Sequence, residues 1–529
     1  MADPESRGAT CGLGSAFGGR QLSGGGTELR ARAELAAKCR SCGTCRSVCP
    51  VFAEVGTEGS VARGKVALIR SVLDGDLELS EIFEDRVLLC LNCKTCVANC
   101  PNDVAVDELI LAARHDLVES GRLPIVRKLI FRLLLKRGRL LPPLGRLGSF
   151  AQRWLLRGLP DSSPIRIMLP LAGVDEHRVF PTLAPRSFMA DAPEEVKGEA
   201  GSGLVPVAGE TGSGLDGKRS AVPGTAPASH ISSDVRPDAA LATNERRRVV
   251  REARRVAYFV GCATNLIYPG TGRATVDALA RSGVDVSIPR AQICCGAPAL
   301  NSGDYDSARA MARRNIAVLR ETGADAVVTG CASCGLSLKR EYERTLGLDG
   351  GIGLPVFDLA EFLALRGRGT VSEVGESRDN HVGAGESPES GGDTDRTLEA
   401  GRGRVAHPLT GRRLRVAFHD PCHLVRGQKV TQEPRDLLRS LPWVEYVEMR
   451  NADRCCGGGG TFFLSHYDIS KAIAQHKVEA IREADVDIVA TECPVCIMQL
   501  TDMLEQAGVD VAVVSVADVL AMGGERGAA

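Results

Sequence analysis

Two stretches of this 529-residue sequence carry one pattern of thiols. Residues 39–50 read CRSCGTCRSVCP and residues 90–101 read CLNCKTCVANCP, both C-x2-C-x2-C-x3-C-P. Three thiolates two apart wrap one corner of a four-iron cubane, while a fourth, set off before a proline, reaches the other cluster. The spacing therefore predicts one [4Fe–4S] cluster on Cys39, Cys42, Cys45 and Cys100, and a second on Cys90, Cys93, Cys96 and Cys49. A zinc ribbon is the competing chemistry, but it uses C-x2-C pairs and not eight ligands in two matched runs.

Further along, cysteine doublets appear on glycine-rich turns, CCG at 294–296 and CCGGGG at 455–460. Each doublet belongs to a set of five: Cys262, Cys294, Cys295, Cys331 and Cys334, then Cys422, Cys455, Cys456, Cys493 and Cys496. The intervals are 32 and 36 residues in the first set and 33 and 37 in the second. Agreement within one residue at both intervals implies an internal duplication. Adjacent cysteines rarely bridge each other, so each doublet reads as two metal ligands from one tight turn. The glycines let the backbone approach the metal, and their N–H groups can hydrogen-bond to sulfide.

The elements around these thiols repeat as well. VAYFVGC and LRVAFHDPC read as buried strands running into a cysteine; ADAVVTGCASC and VDIVATECPVC read as strands ending in a C-x2-C that opens a helix. Helical stretches such as SARAMARRNIAVLRETG and ISKAIAQHKVEAIREAD lie between them. Strands alternating with helices predict parallel α/β sheets, with every cysteine group at a carboxyl strand end, where such sheets place ligands. The fold class is thus α/β: an N-terminal helical two-cluster ferredoxin-like domain followed by two duplicated α/β cysteine-rich domains.

Composition narrows the class. Lys and Arg total 65 against 66 acidic residues, and the net charge of −1 gives no global nucleic-acid or membrane signal. The N-terminus has no apolar signal-peptide core, and no run of some 18 uncharged apolar residues occurs. Nineteen cysteines in so long a chain fit reduced, metal-binding thiols in a cytoplasmic protein better than a disulfide scaffold.

The domains follow from these patterns: a disordered tail over 1–28, the two-cluster domain over 29–120, a basic helical connector over 121–190, a disordered linker over 191–250, the first cysteine-rich domain over 251–366, a second disordered linker over 367–412, and the second cysteine-rich domain over 413–525. Both linkers are rich in Gly, Ser and Pro or charge and cannot bury enough apolar surface to offset the entropy of ordering. In the connector, residues 121–168 carry eleven Arg or Lys and one acidic residue, with Lys128, Arg132 and Lys136 on one helical face. That face fits an anionic membrane surface, which would place the protein at the inner face of the cytoplasmic membrane; a helix packed between domains accounts for it equally well. Between the ferredoxin-like runs, Gly59, Gly64 and Lys65 imitate a phosphate loop, but Val66 replaces the magnesium-binding hydroxyl and no strand precedes. The start of a helix between two cluster loops is the better reading. Cys11 sits alone in the Gly-rich tail and reads as incidental. His419, Asp420 and His423 flank Cys422 as a helix cap and hydrogen-bond partners of the metal site, with a catalytic pair as the rival reading.

Over residues 35–120 and both repeats, about 60% of the chain, the sequence resembles the iron–sulfur proteins with paired cysteine-rich CCG domains. HDPCHLVRGQ, NADRCCGGGGTF and GCATNLIYPGTG are most similar to the glycolate oxidase iron–sulfur subunit, in a family that also holds lactate-utilisation and heterodisulfide reductase subunits. In heterodisulfide reductases an intact five-cysteine set holds a non-cubane [4Fe–4S] cluster. The resemblance thus implies one or two such clusters beside the two cubanes. Glycolate oxidase subunits tend to weaken the final C-x2-C, whereas Cys493 and Cys496 are both present here, which keeps the disulfide-reductase branch open.

No GxG grouping in the chain follows a strand, so neither flavin nor nicotinamide is expected on it. The resemblance implies an electron-transfer subunit of a 2-hydroxy-acid (glycolate or lactate) oxidoreductase. It would take electrons from an FAD-binding dehydrogenase partner and pass them toward a quinone or other membrane acceptor, with the substrate site on the partner. The alternative is a heterodisulfide reductase-like subunit that cleaves a disulfide at a CCG cluster. A non-redox zinc scaffold is a third class, distinguished by colourless protein.

Overall fold

The computed structural model describes residues 27–122, 183–199, 243–367 and 412–524, together with Phe131 and Leu135. Residues 1–26 of the expected tail, with Cys11, the central parts of both linkers, and Lys128, Arg132 and Lys136 lie outside the described residues, while Thr27 and Glu28, placed in the tail by composition, begin a helix.

Residues 27–120 are helical. The helices Ala62–Asp74, Glu81–Leu88 and Val106–Glu119 enclose a core of Val66, Ile69, Phe83, Val87, Leu109 and Ile110. The Ala62–Asp74 helix begins within the stretch that imitates a phosphate loop. Lys65 is buried and donates to the Ser60 carbonyl, and a Cβ on Gly64 would stand 2.0 Å from the Glu58 carbonyl oxygen. Gly64 is therefore required for close backbone packing and not for phosphate. Asp116 accepts from the Glu28 and Leu29 amides at 3.2 and 3.0 Å, tying the chain's first described helix to the last of the domain.

The first repeat forms a five-stranded sheet of β1 (Glu195–Val196), β2 (Arg255–Tyr258), β3 (Asp285–Ser287), β4 (Ala326–Thr329) and β5 (Val356–Asp358), in the order β1-β3-β2-β4-β5. The second forms β6 (Leu414–Phe418), β7 (Val444–Tyr446), β8 (Ile488–Ala490) and β9 (Ala512–Val514), in the order β7-β6-β8-β9. Apart from β1, which pairs antiparallel with β3, every pairing is parallel. The strand order over β2–β5 repeats in β6–β9, so the duplication read from cysteine spacing is also one of topology.

The repeats pack crosswise. Helix Pro269–Arg281 of the first lies on Val516–Gly524 of the second, and Leu359–Gly367 lies on Glu433–Arg439. In each pair a helix that follows the first strand of one repeat meets the helix that follows the last strand of the other. One hydrophobic core runs through both, from Val256, Val286 and Phe357 to Val416, Ile488 and Leu520.

The linker expected over 191–250 is shorter than composition suggested. Residues 188–199 form a short helix and β1, held by the Lys197–Asp285 ion pair at 2.8 Å, and Thr243–Glu252 is helical. The ends of the segment carry charges that pair with the sheet, which an average over the Gly- and Pro-rich middle conceals. Phe131 and Leu135, within the expected basic connector, pack against the core of the first repeat.

Candidate iron–sulfur sites

In the helical domain each cysteine run folds as a loop followed by a short helix. Gly43 (φ 90°) and Lys94 (φ 59°) take the left-handed conformation at matching places and start the helices Thr44–Val48 and Thr95–Ala98. Thr44 and Thr95 then bring their hydroxyls to Cys42 and Cys93, at 3.5 and 3.3 Å from the sulfurs. Pro50 at the first turn of helix Pro50–Val55 leaves Cys49 as its cap, accepting from the Phe52 amide at 3.4 Å. One cavity is lined by Cys39, Cys42, Cys45 and Cys100; the neighbouring one is lined by Cys49, Cys90 and Cys93, and Cys96 stands on the wall of both. Cys42 is exposed, whereas Cys93 of the second group is buried and its other three cysteines are half-buried; burial pushes Cys49 up to about 11 and raises Cys96 as well.

In the first repeat, Cys262 opens a helix after β2, Cys294 and Cys295 follow β3, and Cys331 and Cys334 sit at the start of a helix after β4. All five thus stand beyond carboxyl strand ends, where the order β3-β2-β4 reverses direction. The thiols stand next to one another in a chain from Cys262 through Cys294, Cys295 and Cys334 to Cys331. Gly296 (φ 90°) makes the turn after the doublet. Asn315 braces it by accepting from the Ile293 amide and donating to the Cys294 carbonyl, and Tyr342 donates to the Cys295 carbonyl at 2.8 Å.

The second repeat builds the same chain from Cys422 through Cys455, Cys456 and Cys496 to Cys493, with 3.4 Å between the Cys456 and Cys496 sulfurs. Its turn needs glycine outright: Gly457 has φ 85°, and a Cβ there would meet the Ser470 carbonyl at 2.4 Å. In both repeats the second cysteine of the doublet lies between two neighbouring thiols. That pulls Cys295 and Cys456 well below the usual thiol range, while the same contacts push Cys294 and Cys455 up. Buried thiols so crowded resist ionising together, and a bound cation is what makes several thiolates compatible. All eighteen described cysteines are free thiols. The donor set is that of a soft metal or an iron–sulfur site.

The sites are not isolated from one another. Cys93 and Cys455 share one buried cluster, so the inner ferredoxin-type site touches the second repeat. Leu89, Leu91, Phe462 and Ile473 seal this contact. On the side of the first repeat, Lys94 pairs with Asp107 and with Glu341 at 3.4 Å, all three nearly fully buried. Sequence patterns gave no sign of these contacts.

The flanking polar residues differ from expectation. Asp420 caps no helix; its carboxylate grips Arg435 at 2.8 and 2.6 Å. His423 Nδ1 lies 3.0 Å from Ser333 Oγ, between the two repeats. His419 is buried beside Cys456 and Cys496.

Residues 256–339 and 416–501 match the Cysteine-rich domain family, CCG, and residues 35–104 match the 4Fe-4S dicluster domain. The lactate utilization protein A of a Geobacillus strain is 30% identical over 274 residues, 50% of this chain and 98% of that protein. This chain belongs to the CCG-domain iron–sulfur proteins. Among its CCG-domain relatives, the probable glycolate oxidase iron-sulfur subunit of Bacillus subtilis is 26% identical over 91% of this chain and 92% of that protein. A subunit of the fumarate reductase (CoM/CoB) of Methanothermobacter marburgensis is 34% identical over 51% of this chain, which spans 46% of that relative's length. Among the described residues no helix is long and apolar enough to cross a membrane.

Proposed function

We propose that this chain is the iron–sulfur electron-transfer subunit of a 2-hydroxy-acid dehydrogenase complex acting on glycolate or lactate. Cys39, Cys42, Cys45 and Cys100 hold an outer [4Fe–4S] cluster, and Cys90, Cys93, Cys96 and Cys49 an inner one. The two five-cysteine sets hold further clusters, at least one of them non-cubane. Clusters of this kind supply one-electron chemistry, and the protein's part is to hold them close and set their potentials. The observation that carries the reading is the succession of thiol sites: Cys42 is exposed at one end, Cys96 stands on both ferredoxin-type cavities, and Cys93 meets Cys455 of the second repeat. Such a succession suits a wire between a surface contact and a buried terminus. An FAD-binding dehydrogenase subunit supplies the electrons, and a quinone or membrane acceptor takes them, on the cytoplasmic side. The names of the glycolate oxidase and lactate utilization relatives support the substrate class.

The second reading, disulfide reduction at a CCG site, is favoured by the completeness of both five-cysteine sets, Cys493 and Cys496 included. Anaerobic purification of the native complex, with identification of the bound subunits, separates the two. A co-purifying flavoprotein through which glycolate or lactate reduces the clusters is the expected result. Clusters that respond to neither acid but are oxidised by a disulfide substrate would replace the first reading with the second.

A further inference from the structure

His419 and Phe259 occupy the same place in the two repeats. Each is the residue directly after the first parallel strand of its repeat, three positions before the first cysteine of the set. The Phe259 amide donates to the Val328 carbonyl at 2.8 Å, and the His419 amide to the Ala490 carbonyl at 2.9 Å. Val328 and Ala490 are themselves equivalent, each being the partner of the last residue of that strand, Tyr258 or Phe418. Phe259 is fully buried in the cluster of side chains that includes Cys294, Cys295 and Cys334. Where one thiol site has an inert ring, the other has an imidazole.

That imidazole faces the Cys456 thiol. His419 is 1% exposed, yet neither ring nitrogen has a hydrogen-bond partner among the protein's N and O groups. One nitrogen of His419 and the sulfurs of Cys456 and Cys496 all lie within 4.8 Å of one another. Asp420, the neighbouring carboxylate, is engaged by Arg435 and does not serve the ring. A neutral imidazole is a sound iron ligand.

We propose that His419 is a nitrogen ligand to iron in the second repeat, a donor that the first repeat lacks. This rests on the reading that the second five-cysteine set holds an iron–sulfur cluster. The two CCG sites are then unequal despite their shared ancestry. A neutral donor puts less negative charge on iron than a thiolate, and histidine ligation of an iron–sulfur centre raises its reduction potential. The second repeat, the one that touches Cys93, is therefore the higher-potential of the two CCG sites and the one an electron arriving from the inner ferredoxin-type site would occupy first.

The test uses full-length holoprotein assembled with 57Fe. Mössbauer spectra, which register every iron whatever its spin state, are compared for wild type, His419→Phe and Cys456→Ser. His419→Phe places in the second repeat the side chain that the first repeat already accommodates. Its iron content should stay near wild type, while one iron subsite shifts toward all-sulfur parameters. An unchanged spectrum overturns the ligand assignment. If His419→Phe loses iron, wild-type protein labelled with 15N-histidine decides without any substitution: a directly bonded nitrogen coupling in pulsed EPR of the second-repeat cluster supports the proposal, and its absence overturns it. Cys456→Ser guards the underlying reading: full iron content in that variant would mean the second repeat holds no cluster, and both statements would fall.

Discussion

Cys93 and Cys455 belong to different domains, yet they stand together in one buried cluster with Leu91, Phe462 and Ile473. If Cys93 serves the inner [4Fe–4S] cluster and Cys455 a cluster of the second repeat, the two metal centres are near neighbours. When both are paramagnetic, their EPR signals should show spin–spin splitting. Cys455→Ser should remove the splitting and leave a simple signal from the inner cluster. Signals from the wild type that add as independent species would contradict the contact.

The crossed ligand sets give a second expectation. Cys49 is the last cysteine of the first run but lines the cavity with Cys90 and Cys93. Cys49→Ser should therefore disturb the inner cluster and spare the outer one, which is read from the exposed Cys42 site. The reverse outcome, a damaged outer cluster with the inner intact, would show that each run holds its own cluster.

Iron content tests the doublets. Four clusters of four irons predict roughly 16 iron atoms per chain, against about 8 for the ferredoxin-type domain alone. Because each doublet places both thiols in one chain of neighbouring thiols, Cys455→Ser and Cys456→Ser should each lower the iron and sulfide of the second repeat. About 8 iron atoms in anaerobically prepared wild type would leave the CCG sites without clusters.

What was legible in the sequence was whatever repeats along the chain. The two C-x2-C-x2-C-x3-C runs and the two five-cysteine sets are covalent spacings, and the strands before them are buried hydrophobic runs, so both sites and both sheets follow. What was hidden depends on partners far apart in sequence. Asp420 read as a cap because it precedes a helix, but Arg435 approaches it from the next helix and takes its carboxylate. The strand Glu195–Val196 is too short to register as a pattern and exists because β3 offers it an edge. Nothing in the sequence marks Lys94; only the fold reveals it as a buried cation held between Asp107 and Glu341.

That buried group of charges carries the next prediction. Lys94 and Asp107 come from the ferredoxin-type domain, and Arg340 and Glu341 from the first repeat, with Arg340 3.7 Å from Asp107. Burial alone would push the Asp107 carboxyl up, but Lys94 and Arg340 outweigh it and hold Asp107 at about 2. Asp107→Asn leaves two cations short of an anion in a dry interface. Breaking a buried pair from one side costs about 3–5 kcal/mol. The variant should unfold at clearly lower denaturant, with the loss concentrated at the domain contact and seen as faster proteolysis there. A midpoint within error of wild type would mean the network contributes nothing net.

Asp358, at the end of β5, is the opposite case. It is buried, its Oδ1 accepts from the Ala360 amide, and its Oδ2 has no partner. Burial pushes it up to about 7, with Lys339 pulling it down and Glu361 adding to the rise. The unfolded carboxyl titrates near 3.9. Below that value both states are protonated and pH has no effect through this group. Between there and about 7 the unfolded chain has released the proton and the folded chain still holds it, so stability falls as pH rises, and above about 7 the loss is complete. Three pH units correspond to about 4 kcal/mol at most, since Lys339 and Glu361 share the titration. Asparagine keeps the bond to Ala360 and cannot ionise. Wild type should therefore lose stability between pH 5 and pH 8 relative to Asp358→Asn, and the two unfolding midpoints should converge toward pH 4. Parallel pH profiles for the two proteins, measured under argon with iron content checked at each pH, would show that Asp358 is ionised in the fold throughout.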